Sequence, residues 1–541
     1  MNGHGGELAM AALSGYGVRE IFTLSGGHIF PFYDACVRQE LAIYDVRHEQ
    51  TATFAAEGMG KLTRRPGVAV LTAGPGVTNG VSAMTTASFN GSPLVVLAGR
   101  APQNRWGAGS LQELDHVPIV GPVMKLAATV ATTADIAKVV GSAAATAITP
   151  HRGPVFVDFP MDVVFGSATD VQVEGAATPR GQVPDPADVA AAAELVRSAA
   201  RPCLVAGSDV YWDGASEALR HCVEELRVPC FANGLGRGCL PADHELAFSR
   251  TRSMLKEADV VVVVGTPLDF RLSFGRFGSA RVVHIVDAAD NRAGHVPDAA
   301  SVAGDIAMAL EGLAASPAGS GRGPLVSHEP WISSLREREV AARASEASLL
   351  TSSSEPIHPA RVYGELSRRL ARDAVVIGDG GDFVSWAGRL VDSYQPGCWM
   401  DPGPYGCLGT GLGYAMAARV AHPERQVVLM LGDGAAGFSL LDVDSLVRHG
   451  LPVVMVVGNN GIWGLEKHPM RALYGYDVAA DLQPECRYDS VVSALGGAGE
   501  LVRRVDEVGP ALDRALASGV PYLVNVVLDP DAVYPRSSNL A

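Results

Sequence analysis

The sequence predicts an α/β protein of three parallel-sheet domains. Three observations carry this. Short apolar runs recur along the chain, end in glycine clusters and alternate with stretches of helical spacing. One complete strand–helix–strand unit can be read between Gln426 and Met470. Two stretches rich in small and turn-forming residues, Ser167–Pro186 and Ser316–Glu355, read as linkers that separate regions 1–166, 187–315 and 356–541. A chain of 541 residues has room for about three domains.

Bulk properties exclude several function classes. The net charge of −15 argues against a nucleic-acid footprint and against an anionic membrane surface. The longest apolar runs are strand-sized, far short of a membrane span. Met1–Leu13 has no basic region or cleavage pattern, and the eight cysteines form no CxxC pair. The expectation is a cytoplasmic protein with reduced thiols, acting on a small molecule.

In the first region, apolar runs at Ile21–Leu24, Ile43–Val46, Val68–Leu71, Leu94–Leu97 and Val155–Phe159 predict parallel strands. Leu24 is followed by Ser-Gly-Gly27-His28, a strand end with paired glycines. Arg47-His48-Glu49-Gln50 follows the second run, and Glu49 opens a helical pattern at Thr51–Gly60. The segment Leu71-Thr-Ala-Gly-Pro75-Gly-Val-Thr-Asn79 reads as strand, glycine loop and helix start, and a further loop, Arg105–Asp115, carries Gln112.

The second region has runs at Pro202–Ala206, Val260–Val264 and Val282–Val286. Gly234-Leu-Gly-Arg-Gly238 lacks the helix spacing of a dinucleotide fingerprint, so no NAD site is expected. One helix is expected near Trp331–Ala344, inside the second linker.

In the third region, Val375–Ile377 ends in Gly378-Asp-Gly-Gly381-Asp382-Phe383, and a glycine-rich loop runs from Gly403 through Gly406 and Leu408 to Gly413. The run Val427–Leu431 ends in Gly432-Asp433-Gly434-Ala435, a helical pattern follows, and Val453–Val457 ends in Gly458-Asn-Asn460-Gly461. A strand–helix–strand unit makes its strands parallel neighbours, so Asp433 and Asn460 should meet at the ligand-binding edge. A carboxylate and an amide oxygen are hard ligands suited to Mg²⁺, and glycine N–H groups at a helix start suit a phosphate. The object expected there is a Mg²⁺–diphosphate.

This last unit resembles the GDG…NN signature of thiamine-diphosphate enzymes, and the resemblance extends along the chain. It implies a pyrimidine-binding, a central and a diphosphate-binding domain. It implies Asp433, Asn460 and the Ile462 carbonyl as Mg²⁺ ligands. Cofactor contacts are implied at Pro75, Asn79, Gly381, Asp382, Phe383, Gly406, Gly432, Gly434, Ala435 and Trp463. Glu49 would hydrogen-bond the aminopyrimidine and drive its tautomerisation. Leu408 would wedge beneath the cofactor, and Gly27, His28 and Gln112 would face the substrate.

The chain also resembles the acetolactate-synthase-like branch that includes 2-hydroxyacyl-CoA lyases, in Gly26-Gly-His28, Asp269–Gly275, Gly378–Phe383 and Asp433. Ser249–Ser253 stands where flavin-carrying acetolactate synthases have Gly-Met-His-Gly, so FAD is not expected. Arg252, Arg271 and Arg276 could meet the phosphates of CoA or ADP in the central domain. The preferred expectation is cleavage of 2-hydroxyacyl-CoA to an aldehyde and formyl-CoA, or the reverse. The alternative is decarboxylating carboligation of 2-keto acids such as pyruvate. Resemblance also implies a homodimer or homotetramer whose sites lie between subunits.

Overall fold

The computed structural model describes residues 1–176, 181–315 and 326–535. Parts of both expected linkers and the end of the third region lie outside them. The described chain forms three six-stranded, all-parallel sheets, as βαβ patterning requires.

The first sheet holds β1 (Glu20–Thr23), β2 (Ala42–Asp45), β3 (Gly67–Leu71), β4 (Leu94–Arg100), β5 (Leu126–Thr129) and β6 (Val155–Pro160), in the order β2-β1-β3-β4-β6-β5. The central sheet holds β7 (Pro202–Ala206), β8 (Cys230–Ala232), β9 (Ala247–Phe248), β10 (Val260–Val264), β11 (Arg281–Val286) and β12 (Ala300–Ala303), in the order β9-β8-β7-β10-β11-β12. The third holds β13 (Val375–Asp379), β14 (Trp399–Met400), β15 (Val427–Gly432), β16 (Val454–Asn459), β17 (Ala498–Val502) and β18 (Tyr522–Val527), in the order β14-β13-β15-β16-β18-β17. The first and third sheets share one topology. The central sheet has the strand order of dinucleotide-binding folds.

Two helices join the first and third domains. One, α1 (Glu49–Thr63), starts after β2; the other, α2 (Gly411–Ala421), precedes β15. They cross closely because glycines stand at the contact. A Cβ on Gly413 would lie 2.7 Å from the Phe54 Cβ, and one on Gly58 would lie 3.0 Å from the Ala417 Cβ. The shared core of the two domains includes Phe54, Ala55, Leu412, Tyr414 and Ala417. A buried polar network crosses the same contact. Lys61 pairs with Glu57 at 3.1 Å and donates to the Tyr414 hydroxyl, which donates to Glu57. Asn90 and Ser92 also donate to Glu57. Every partner is satisfied, which is what makes a buried ion pair tolerable.

The helix expected in the second linker is present and longer, at Glu329–Leu350. The helix expected after Gly434 is broken into Asp433–Ser439, a tight turn at Leu440–Asp442 and Val443–Arg448. The break lets the Asp442 carboxylate accept from the Arg47 backbone N–H and the Thr51 hydroxyl, both at 2.6 Å.

Candidate active site

Parallel strands β15 and β16 pair with Gly432 opposite Gly458, so their glycine-rich ends lie side by side. Asp433 and Asn460 meet there. The Asp433 carboxylate is buried and accepts backbone N–H bonds from Gly461 at 2.7 Å and Gly434 at 2.9 Å. Burial pushes its carboxyl up to about 6. Among the described residues, no Lys, Arg or His forms an ion pair with it. Of the two adjacent asparagines, Asn459 is buried and its amide donates to the Cys486 carbonyl and the Asn525 side chain. Asn460 lines the cleft, as expected.

The cleft has a volume of ≈ 540 Å³. Its lining includes every third-domain site residue expected from the sequence: Gly381, Asp382, Phe383, Gly406, Leu408, Gly432, Asp433, Gly434, Ala435, Asn460, Ile462 and Trp463. A Cβ on Gly406 or Gly432 would meet nothing within 4 Å, so both backbones open onto free space. Gly434 lies under the Trp463 ring, where a Cβ would come within 2.4 Å. The residues fit a phosphorylated cofactor with a hard divalent cation: glycine backbone at the mouth, and one uncompensated carboxylate beside an amide.

The loop that carries Leu408 is held from beneath. Asp379, at the end of β13, is fully buried and accepts from the Gly409 N–H at 3.1 Å and the Gly411 N–H at 2.8 Å. Burial outweighs these two bonds and pushes its carboxyl up to about 7.

The first-domain candidates gather at the matching edge of the first sheet. Glu49 is buried and accepts from the Asn79 amide at 3.0 Å. Pro75 opens the helix Pro75–Asn90 that carries Asn79. Thr72 lies 3.2 Å from His28 Nδ1 and 3.5 Å from Gln112 Oε1. Burial lowers the His28 pKa, which favours its neutral form. Gly27 is exposed at the same strand end, and Leu111 is exposed beside Gln112. His116 fixes the glycine loop: Nε2 accepts from the Gly74 N–H at 2.9 Å, and Nδ1 bonds Asp158 at 3.0 Å.

The two edges meet within one chain. The Gln50 side chain donates to the Leu408 carbonyl at 3.3 Å. Gly58 and Gly413 let α1 and α2 cross, and Asp442 anchors the start of α1, so the chain's own domains bring Gln50 to Leu408.

Sequence reasoning missed several contributors. Asn233, Gly234, Phe270 and Arg271 of the central domain line the cleft. Gln50, Asp379, His116 and Asp442 act through partners distant in sequence. The phosphate-binding role expected of the central arginines meets an obstacle. Arg252 is half-buried and donates to Asn233 and to the Arg271 carbonyl, and Arg271 is bound to the Asp269 carboxylate. Only Arg276 is exposed. The Ser249–Thr251 backbone is also occupied, donating its N–H groups to the buried Glu339 carboxylate.

Family models match all three domains. The N-terminal TPP binding domain of thiamine pyrophosphate enzymes matches residues 3–119, the central domain 189–313 and the C-terminal TPP binding domain 379–526. The chain is 53% identical to an acetolactate synthase large subunit from Mycobacterium tuberculosis, covering 99% of this chain and 98% of that one. It is 34% identical to 2-hydroxyacyl-CoA lyase 2 from Caenorhabditis elegans, covering 97% and 89%, and 34% identical to the human protein of that name, covering 97% and 90%. With its three domains matched in order along the chain, this chain belongs to the thiamine pyrophosphate enzyme family.

Proposed function

We propose that this enzyme catalyses decarboxylating carboligation of 2-keto acids, in the manner named for acetolactate synthases. The observation that carries the reading is 53% identity, end to end, with an acetolactate synthase, against 34% with 2-hydroxyacyl-CoA lyases. The sequence alone favoured the lyase, on the Ser249–Ser253 segment. That preference gives way to its alternative.

Thiamine diphosphate, when bound, supplies a carbon nucleophile and an electron sink for cleaving the bond beside the substrate carbonyl. Gly381, Gly432 and Gly434 would admit its diphosphate close to the backbone, and Asp433, Asn460 and the Ile462 carbonyl would hold Mg²⁺. The Glu49 carboxylate would hydrogen-bond the cofactor's pyrimidine, and Asn79, donating to it, fixes that carboxylate's orientation. Leu408, which lines the cleft, would support the cofactor from beneath. His28, kept neutral by burial, and Gln112 offer hydrogen bonds to a substrate carbonyl or carboxylate.

The protein works as a homo-oligomer. The Phe89 and Tyr405 rings, from the first and third domains, meet with centroids 5.2 Å apart and planes tilted by 38°, and stand exposed, as do Phe438 and Leu441. Exposed apolar side chains of this size suit a subunit contact.

Purified protein loaded with thiamine diphosphate and Mg²⁺ is given pyruvate in one reaction and a 2-hydroxyacyl-CoA in another. Acetolactate and CO₂ in the first, with no formyl-CoA in the second, is the expected result. Formyl-CoA in the second and nothing in the first would overturn the reading.

A further inference from the structure

The central sheet has the strand order of dinucleotide-binding folds, whose ligand lies at the carboxyl ends of the strands, around the switch point between β7 and β10. In this chain that edge carries negative charge. The turn after β7 reads Gly207-Ser208-Asp209, so a carboxylate stands where a pyrophosphate would approach. Asp287 follows β11 directly and lies on the same edge. His151, from the segment before β6 in the first domain, reaches across to both.

The three side chains converge. His151 Nδ1 lies 3.0 Å from Asp287 Oδ2 and 3.7 Å from Asp209 Oδ1, and the three ligand atoms all lie within 4.8 Å of one another. Asn291 donates to the other Asp287 oxygen at 2.8 Å, which turns Oδ2 toward His151. The neighbouring cations are engaged elsewhere. Arg152 pairs with Asp213 at 2.8 Å, and Lys125 donates to the carbonyls of Thr146, Thr149 and His151.

Asp209 supplies an independent observation. Its side chain is 8% exposed, yet its carboxylate accepts no hydrogen bond among the described residues, and His151 at 3.7 Å is beyond bonding distance. A buried carboxylate without donors is costly unless a cation or a proton joins it. A dication between the three groups would supply that charge.

We propose that His151, Asp209 and Asp287 form a binding site for a first-row divalent cation of the Zn²⁺ class, which clips the first domain to the central domain. One imidazole and two carboxylates are the donor set of such ions, with water completing the shell. Ligand atoms at metal bonds of about 2.0–2.2 Å stand about 3–3.5 Å apart. The two His151 spacings of 3.0 Å and 3.7 Å need only a small adjustment to reach that arrangement, and the two carboxylates, within 4.8 Å of each other, would close onto the ion. The same charge excludes a nucleotide diphosphate from this edge.

The test uses metal-stripped full-length protein, then saturated with Mg²⁺ and thiamine diphosphate to fill the catalytic cleft. It is dialysed against Zn²⁺, and bound zinc is counted by atomic emission. One equivalent per chain is expected, lost in Asp209→Asn and in His151→Gln while affinity for thiamine diphosphate persists. Co²⁺ in place of Zn²⁺ should give visible bands of a nitrogen and oxygen site. No bound zinc in the wild-type protein overturns the proposal. Zinc retained in both variants, or a thiolate charge-transfer band with Co²⁺, also overturns it by placing the ion elsewhere. Should either variant fail to fold, the wild-type melting temperature decides: Zn²⁺ raises it above the value in Mg²⁺ alone, and no rise contradicts the site.

Discussion

The side-chain amide of Gln50 donates to the main-chain carbonyl of Leu408 at 3.3 Å. The residue beside the proposed proton-transfer group is thereby tied to the proposed cofactor wedge, across a sequence separation of 358 residues. Removing one neutral hydrogen bond of this kind costs about 0.5–1.5 kcal/mol. Gln50→Ala is therefore expected to lower kcat by roughly three- to tenfold through misplacement of Leu408 against Glu49. Steady-state kinetics with pyruvate checks this; an unchanged kcat would mean that the tie does not set their spacing.

Asp433→Ala removes the one buried carboxylate among the three proposed Mg²⁺ ligands. Mg²⁺ uses few protein groups, so Mg²⁺-dependent affinity for thiamine diphosphate should collapse while the fold persists. Calorimetric titration of the variant with thiamine diphosphate in Mg²⁺ is the check. Affinity equal to wild type would remove Asp433 from the ligand set.

Asp379 gives a pH dependence of known sign. Its carboxyl is raised by burial from an ordinary 3.8 to about 7. Between those values the folded chain keeps a proton that the unfolded chain has lost. Its contribution to stability is therefore fully present below about pH 4 and is lost as pH rises through about 7. The wild-type melting temperature should fall more from pH 5 to pH 8 than that of Asp379→Asn, which cannot titrate there. Equal falls in the two proteins would contradict the assignment.

Much of this organisation was legible in the sequence. Pro202–Ala206 and Val260–Val264 form strands over those same residues, because fully buried parallel strands read as unbroken apolar runs. Leu126–Thr129 and Ala498–Val502 were not legible. Both are edge strands with partly exposed side chains and small or polar residues. The third-domain residues that line the cleft were legible because glycines and a carboxylate at strand ends have few purposes other than a phosphate or a turn. Asp442 and Gln50 were not, since an acid or amide in a helical pattern usually faces water, and their partners lie hundreds of residues away.

The expected sharing of sites between subunits has a direct test. Mixing inactive Glu49→Gln with inactive Asp433→Ala builds heterodimers with one doubly damaged site and one intact site. Activity should return towards about a quarter of wild type once subunit exchange is verified by mass. No return would place each site within one chain.

The central claim is that the Glu49 carboxylate controls the proton on which this cofactor chemistry depends. Hydrogen–deuterium exchange at C2 of bound thiamine diphosphate, followed by NMR after acid quench, tests it before any substrate is added. Glu49→Gln should keep its cofactor affinity and slow that exchange by more than about a hundredfold, the loss expected for an acid–base group. Exchange in the variant within about tenfold of wild type would contradict the account, because it falls well short of that loss.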